Sequence, residues 1–63
     1  MNLSKLMLNY RAKESISQRE LASRCGLAYE TIRKAESGRL VKELTEAKIR
    51  RIVDEENRDS VSF

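Results

Sequence analysis

"ISQRELASRCGLAYETIRKAESGR", residues 16–39, holds both glycines and the only cysteine of the chain, and its apolar residues recur at helical spacing. Leu21, Ala22 and Cys25 fall on one inner face and Ala28, Ile32 and Ala35 on a second. Ser17 and Glu20 make a Ser-x-x-Glu capping box that opens the first of these helices, with Ile16 placed to staple against Leu21. Gly26 stands where that helix ends in the left-handed region, and Gly38 closes the next. The spacing predicts two short helices joined by a very tight turn. Such a pair needs a small residue at the contact, a residue free of Cβ strain at the turn and a branched apolar anchor, and Ala22, Gly26 and Ile32 supply them. Tyr29, Glu30, Arg33, Lys34 and Ser37 then project outward, on a surface the core cannot use.

Two further helices flank this pair. Upstream, Leu3, Leu6, Met7 and Tyr10 share one face, Asn2 is placed as an N-cap, Lys5 and Lys13 stay outside, and Leu8 breaks the pattern. Downstream, "GRLVKEL" is a partly apolar connector through Leu40, Val41 and Leu44. A last helix starts at Leu44 or Thr45, with Ile49, Ile52 and Val53 inside, and periodicity is lost in "DEENRDSVSF". No strand-like alternation or internal repeat interrupts this reading. The expected fold is all-α: a small four-helix domain over residues 1–56, followed by a polar tail, 57–63.

Sixty-three residues allow one domain and leave no room for a deep substrate cavity. Residues 1–53 carry twelve Lys/Arg against six Asp/Glu, whereas residues 54–63 carry one against four, so a basic body precedes an acidic tail. A basic body suits a polyanionic partner, and charge alone leaves nucleic acid, an anionic membrane surface and an acidic protein open. A lone cysteine permits no internal disulfide, and without histidine no zinc site is expected. No cofactor is expected either. This composition fits the reducing cytosol, and nothing in the chain reads as a signal peptide or a membrane span, so a cytoplasmic location is expected.

From Arg11 to Gly38, through "SQRELASRCGL" and "TIRKAESG", the sequence resembles the helix-turn-helix DNA-binding domains of the phage repressor and Cro type, the xenobiotic-response-element family. Gln18, Glu20, Leu21, Ala22, Gly26, Ile32, Glu36 and Gly38 match together, and a looser likeness extends from Leu3 to Val53. The resemblance implies a lambda-repressor-like fold. It also implies that Tyr29, Glu30, Arg33 and Lys34 contact base edges, and that Gln18, Thr31, Ser37, Arg39 and Lys42 contact the DNA backbone. Gln18 would also brace the recognition helix. Arg11 and Glu36 resemble the family's semi-buried ion pair between the first helix and the end of the third.

Three departures stand out. Ala28 replaces the family's usual Ser or Thr, which removes an N-cap generally worth ~1 kcal/mol and a phosphate contact. The proline often found after the third helix is absent, and no fifth helix is expected to supply dimer contacts. Pairing would then fall to Leu40, Val41 and Leu44, or to Val61 and Phe63 of the tail.

Plainer roles stand beside these. Cys25 suits core filling, Lys48, Arg50 and Arg51 suit a solvated helix face, and Leu8 suits a partly covered surface residue or a partner-binding contact. Tyr29 reads as a base or sugar-phosphate contact, or as an edge residue covering the core. For Glu30 two roles are open, accepting a hydrogen bond from cytosine N4 and repelling other sites.

The function expected is a sequence-specific transcriptional regulator, a phage or mobile-element repressor or Cro-like protein on a near-palindromic operator in double-stranded DNA. It would act as a monomer or weak homodimer that pairs on DNA. The alternative is a module of the same fold that binds another regulator, as an antirepressor or assembly factor would. An enzyme ranks third, because no nucleophile–base pair or metal-ligand cluster is present.

Overall fold

The computed structural model describes residues 2–54, which form four α-helices with no strand among the described residues: α1 (Leu3–Glu14), α2 (Gln18–Cys25), α3 (Tyr29–Glu36) and α4 (Glu43–Val53). The tail 57–63, with Val61 and Phe63, lies outside the described residues.

The first two helix starts follow from local signals. The Asn2 side chain accepts the Lys5 N–H at 2.9 Å and caps α1. Ser17 Oγ accepts the Glu20 N–H at 3.1 Å and caps α2, which is half of the expected capping box. The other half is redirected, since the Glu20 carboxylate faces Arg24 one turn on at 3.5 Å. Ala28 at the head of α3 makes no side-chain cap, and neither does Lys42 at the head of α4.

The ends of α1, α2 and α3 share one device. Gly26 (φ 69°) follows α2, while the Leu27 N–H reaches back to the Ala22 carbonyl at 2.9 Å. Gly38 (φ 89°) follows α3, with the Arg39 N–H donating to the Lys34 carbonyl at 3.1 Å. Both are Schellman closures, in which a left-handed residue lets the chain satisfy carbonyls the helix leaves open. After α1 the same position is filled by Ser15 at φ 57°, with the Ile16 N–H on the Arg11 carbonyl at 3.1 Å. The sequence gives no warning of a left-handed serine.

The core is small. Met7, Leu21, Ile32 and Ile49 are fully enclosed, joined by Ala22, Ala35 and Val53, with Leu3, Leu6, Tyr10, Ile16, Cys25, Leu27, Val41 and Ile52 packed round the edge. Each of the large enclosed side chains contributes about 1.5–3 kcal/mol relative to exposure. α2 packs on α3, α1 bridges α3 and α4, and α2 also meets α4, so every helix gives one apolar face to the same centre.

Ala28 departs from the expected inner face of α3, because it is exposed at the turn while Ile32 and Ala35 are buried. α4 starts at Glu43, one residue ahead of the expected Leu44. Leu44 is 79% exposed and Leu40 98% exposed, so the connector anchors to the core through Val41 instead.

Candidate nucleic-acid interface

The turn of Gly26, Leu27 and Ala28 sets α3 directly after α2, and Ile32 and Ala35 pin its inner side. Helical geometry then turns Glu30, Arg33 and Lys34 to solvent, where all three are exposed. Glu30 and Arg33 approach each other at 3.5 Å as an exposed i,i+3 pair, which offsets the repulsion a lone carboxylate would exert on an anionic partner. Tyr29 is half-buried, and its ring lies against cations: the Arg19 guanidinium carbon is 4.2 Å from the ring centroid and that of Arg33 5.8 Å.

The expected backbone-contacting residues do not form one uniform set. Arg39 and Lys42 are exposed on the connector, and the Gly38 closure fixes where Arg39 leaves α3. The Ser37 hydroxyl donates to the Lys34 carbonyl at 2.8 Å, so in this state its proton is committed to the helix end. Thr31 is half-buried. Gln18 is half-buried as well, and its amide nitrogen donates to Glu36 Oε1 at 3.0 Å.

That same oxygen accepts from Arg11 at 2.8 Å, and Arg11 Nε donates to the Ile16 carbonyl at 3.2 Å. The Glu36 side chain is only 6% exposed, against 25% for Arg11. One carboxylate thus ties the end of α1 and the start of α2 to the end of α3. This holds the end of α3 against α1 and α2, through the Arg11–Glu36 pair and the Gln18 brace that the resemblance implies.

Away from α3, Arg24 is a second junction. Its guanidinium donates to Tyr10 Oη and Glu14 Oε1, both at 3.1 Å, and faces Glu20 at 3.5 Å. The Tyr10 hydrogen bond first, and then that to Glu14, raise the Arg24 pKa further above its usual range. With Cys25, Lys48, Arg51 and Ile52, Arg24 lines an open groove of about 390 Å³. Cys25 is half-buried, and burial pushes its thiol up from the ordinary value of 9.0, which fits core filling better than reactivity. Lys48 and Arg51 are exposed on α4, and Arg50 pairs with Glu46 at 2.8 Å and approaches Asp54 at 3.9 Å.

Two features escape the sequence pattern. Arg19 has no partner at i+3 or i+4 that would reveal its stacking on Tyr29, because that contact depends on how α2 and α3 cross. The junction at Arg24 draws on α1 and α2 together and is equally non-local. Among the described residues no three His, Cys, Asp or Glu side chains gather as a metal site, and no helix is long and apolar enough to cross a membrane. Comparison of the chain with known protein families, curated proteins and solved structures found no match.

Proposed function

We propose that this chain is a sequence-specific DNA-binding transcriptional regulator of the repressor and Cro type, with α3 entering the major groove. The observation that carries this reading is the division of α3: Ile32 and Ala35 are buried, while Glu30, Arg33 and Lys34 stand in solvent with no role in the core. A helix held by its inner side, with charged side chains outward, suits a major groove about 12 Å wide. Arg39 and Lys42 extend positive charge beyond its end, as phosphate contact requires. Agreement of the Gln18, Gly26, Ile32, Glu36 and Gly38 pattern with the helix-turn-helix motif supports the same reading.

A single recognition helix touches few base pairs, whereas specific affinities of roughly 10⁻⁸–10⁻¹¹ M generally use larger interfaces. Pairing on DNA supplies the missing area. Leu40 and Leu44, four residues apart and largely exposed, favour the connector as the contact between copies, with Val41 turned to the core. The surface is small, so the free protein is a monomer or weak dimer. The same two leucines are the observation in favour of the second reading, a module that binds another regulator.

Titration of a fluorescent duplex at rising salt separates the two readings. DNA binding predicts a steeper than hyperbolic curve and an affinity falling as log K against log salt, with a slope of about −0.9 per neutralised phosphate. A salt-insensitive complex with a protein, and no anisotropy change with DNA, would contradict it.

A further inference from the structure

The contact between Arg19 and Tyr29 bears on how both side chains could meet a polyanion. A ring face attracts a cation, and a guanidinium packed against it engages through its π surface. Its N–H donors lie in the guanidinium plane and stay available for an anion's oxygens. Arg19 is exposed, and its guanidinium carbon lies 4.2 Å from the Tyr29 centroid.

Among the described residues, Arg19 makes no hydrogen bond or ion pair that would occupy its guanidinium. It sits in the first turn of α2, where the helix dipole disfavours a cation. The neighbouring Glu20 turns to Arg24. Gln18, the expected phosphate clamp at this end of α2, has its amide drawn to Glu36. Tyr29, half-buried with Arg19 and Arg33 against its ring, is poorly placed to offer that ring to a base.

We infer that Arg19 is a phosphate-contacting cation of the DNA interface and that Tyr29 is a positioning residue holding its guanidinium through the ring face. This inference rests on the DNA-binding reading above. Tyr29 then acts on affinity through Arg19 and carries no base preference of its own.

The test uses the full chain, short duplexes of mixed sequence, and the variants Arg19→Ala, Tyr29→Phe and Tyr29→Leu. Arg19→Ala should weaken binding roughly tenfold, the size of one charge-assisted hydrogen bond, and make the salt slope shallower by about 0.9. Tyr29→Phe keeps the ring and should bind as the wild type does, with the same site preference. Tyr29→Leu should weaken binding in the wild-type background and have no further effect beside Arg19→Ala.

Because Tyr29→Leu also alters a half-buried position, NMR of the free protein gives a readout independent of DNA. The Arg19 side-chain protons should be shifted by the ring current in the wild type and Tyr29→Phe, and unshifted in Tyr29→Leu. An unshifted Arg19 in the wild type, an unchanged salt slope for Arg19→Ala, or an altered site preference for Tyr29→Phe would each overturn the inference while leaving DNA binding intact. A wild type that binds no duplex overturns both.

Discussion

Arg11 donates to Glu36 at 2.8 Å across the junction of α1 and α3, and the accepting oxygen is shared with the Gln18 amide at 3.0 Å. The other carboxylate oxygen, Oε2, is buried with no hydrogen-bond partner among the described residues. Glu36→Ala strands the Arg11 charge and the Gln18 amide together. Breaking a fully buried pair costs ~3–5 kcal/mol, and the partial exposure of Arg11 lowers the expected loss here to about 2–3 kcal/mol. Glu36→Gln keeps an acceptor and should lose less. Thermal unfolding followed by circular dichroism checks this, and equal midpoints for wild type and Glu36→Ala would refute the junction's role.

Ser15 predicts a gain. It holds φ 57° at the close of α1, in the position glycine occupies after α2 and α3. A side chain there costs strain that glycine avoids, so Ser15→Gly should stabilise the fold by ~0.5–1 kcal/mol and Ser15→Val should destabilise it. Urea unfolding reports this as a higher midpoint at unchanged slope. A lower midpoint for Ser15→Gly would show that the serine side chain supplies something the backbone geometry does not reveal.

Reading and holding should separate by mutation. Base contacts discriminate sequences, whereas phosphate contacts set register and affinity. Lys34→Ala and Glu30→Ala should therefore change the preferred half-site, and Arg39→Ala should weaken all sites about equally. Gln18→Ala should do the same, with some loss of stability because its amide also braces Glu36. Binding to a panel of single-base variants measures both effects. An unchanged preference in Lys34→Ala beside a rewritten one in Arg39→Ala would reverse the assignment.

Cys25 gives a pH dependence with a definite sign. Burial raises its thiol pKa above 9.0, so the folded state holds the proton more tightly than the unfolded state does. The stability this carries is full below the unfolded value and is lost as pH rises through the folded one. Wild type should therefore lose stability relative to Cys25→Ser as pH climbs above 9.0. Paired urea titrations on either side of that pH test it, and a constant difference between the two proteins would argue against burial as the cause.

Much of this was legible in the chain because it is local. The caps at Asn2 and Ser17, the glycine closures at Gly26 and Gly38, and the buried Leu21, Ile32 and Ile49 each follow from spacing within one or two turns. The Arg11–Glu36 tie came through the resemblance, since no spacing rule links residues so far apart. What the sequence could not convey depends on helix crossing: Arg19 over Tyr29, and Arg24 joined to both Tyr10 and Glu14. Leu40 shows the converse limit. Residue type marks it as one of three apolar positions in the connector, but its exposure follows from the connector choosing Val41 as its anchor.

Selection of bound sites from random double-stranded DNA tests the central claim, that α3 reads a sequence, most directly. The account predicts enrichment of a near-palindromic motif whose half-sites lie about one helical turn, roughly 34 Å, apart. It also predicts that Lys34→Ala shifts the enriched bases symmetrically in both halves. A pool that remains indistinguishable from the starting library, with folded protein present throughout, would contradict it.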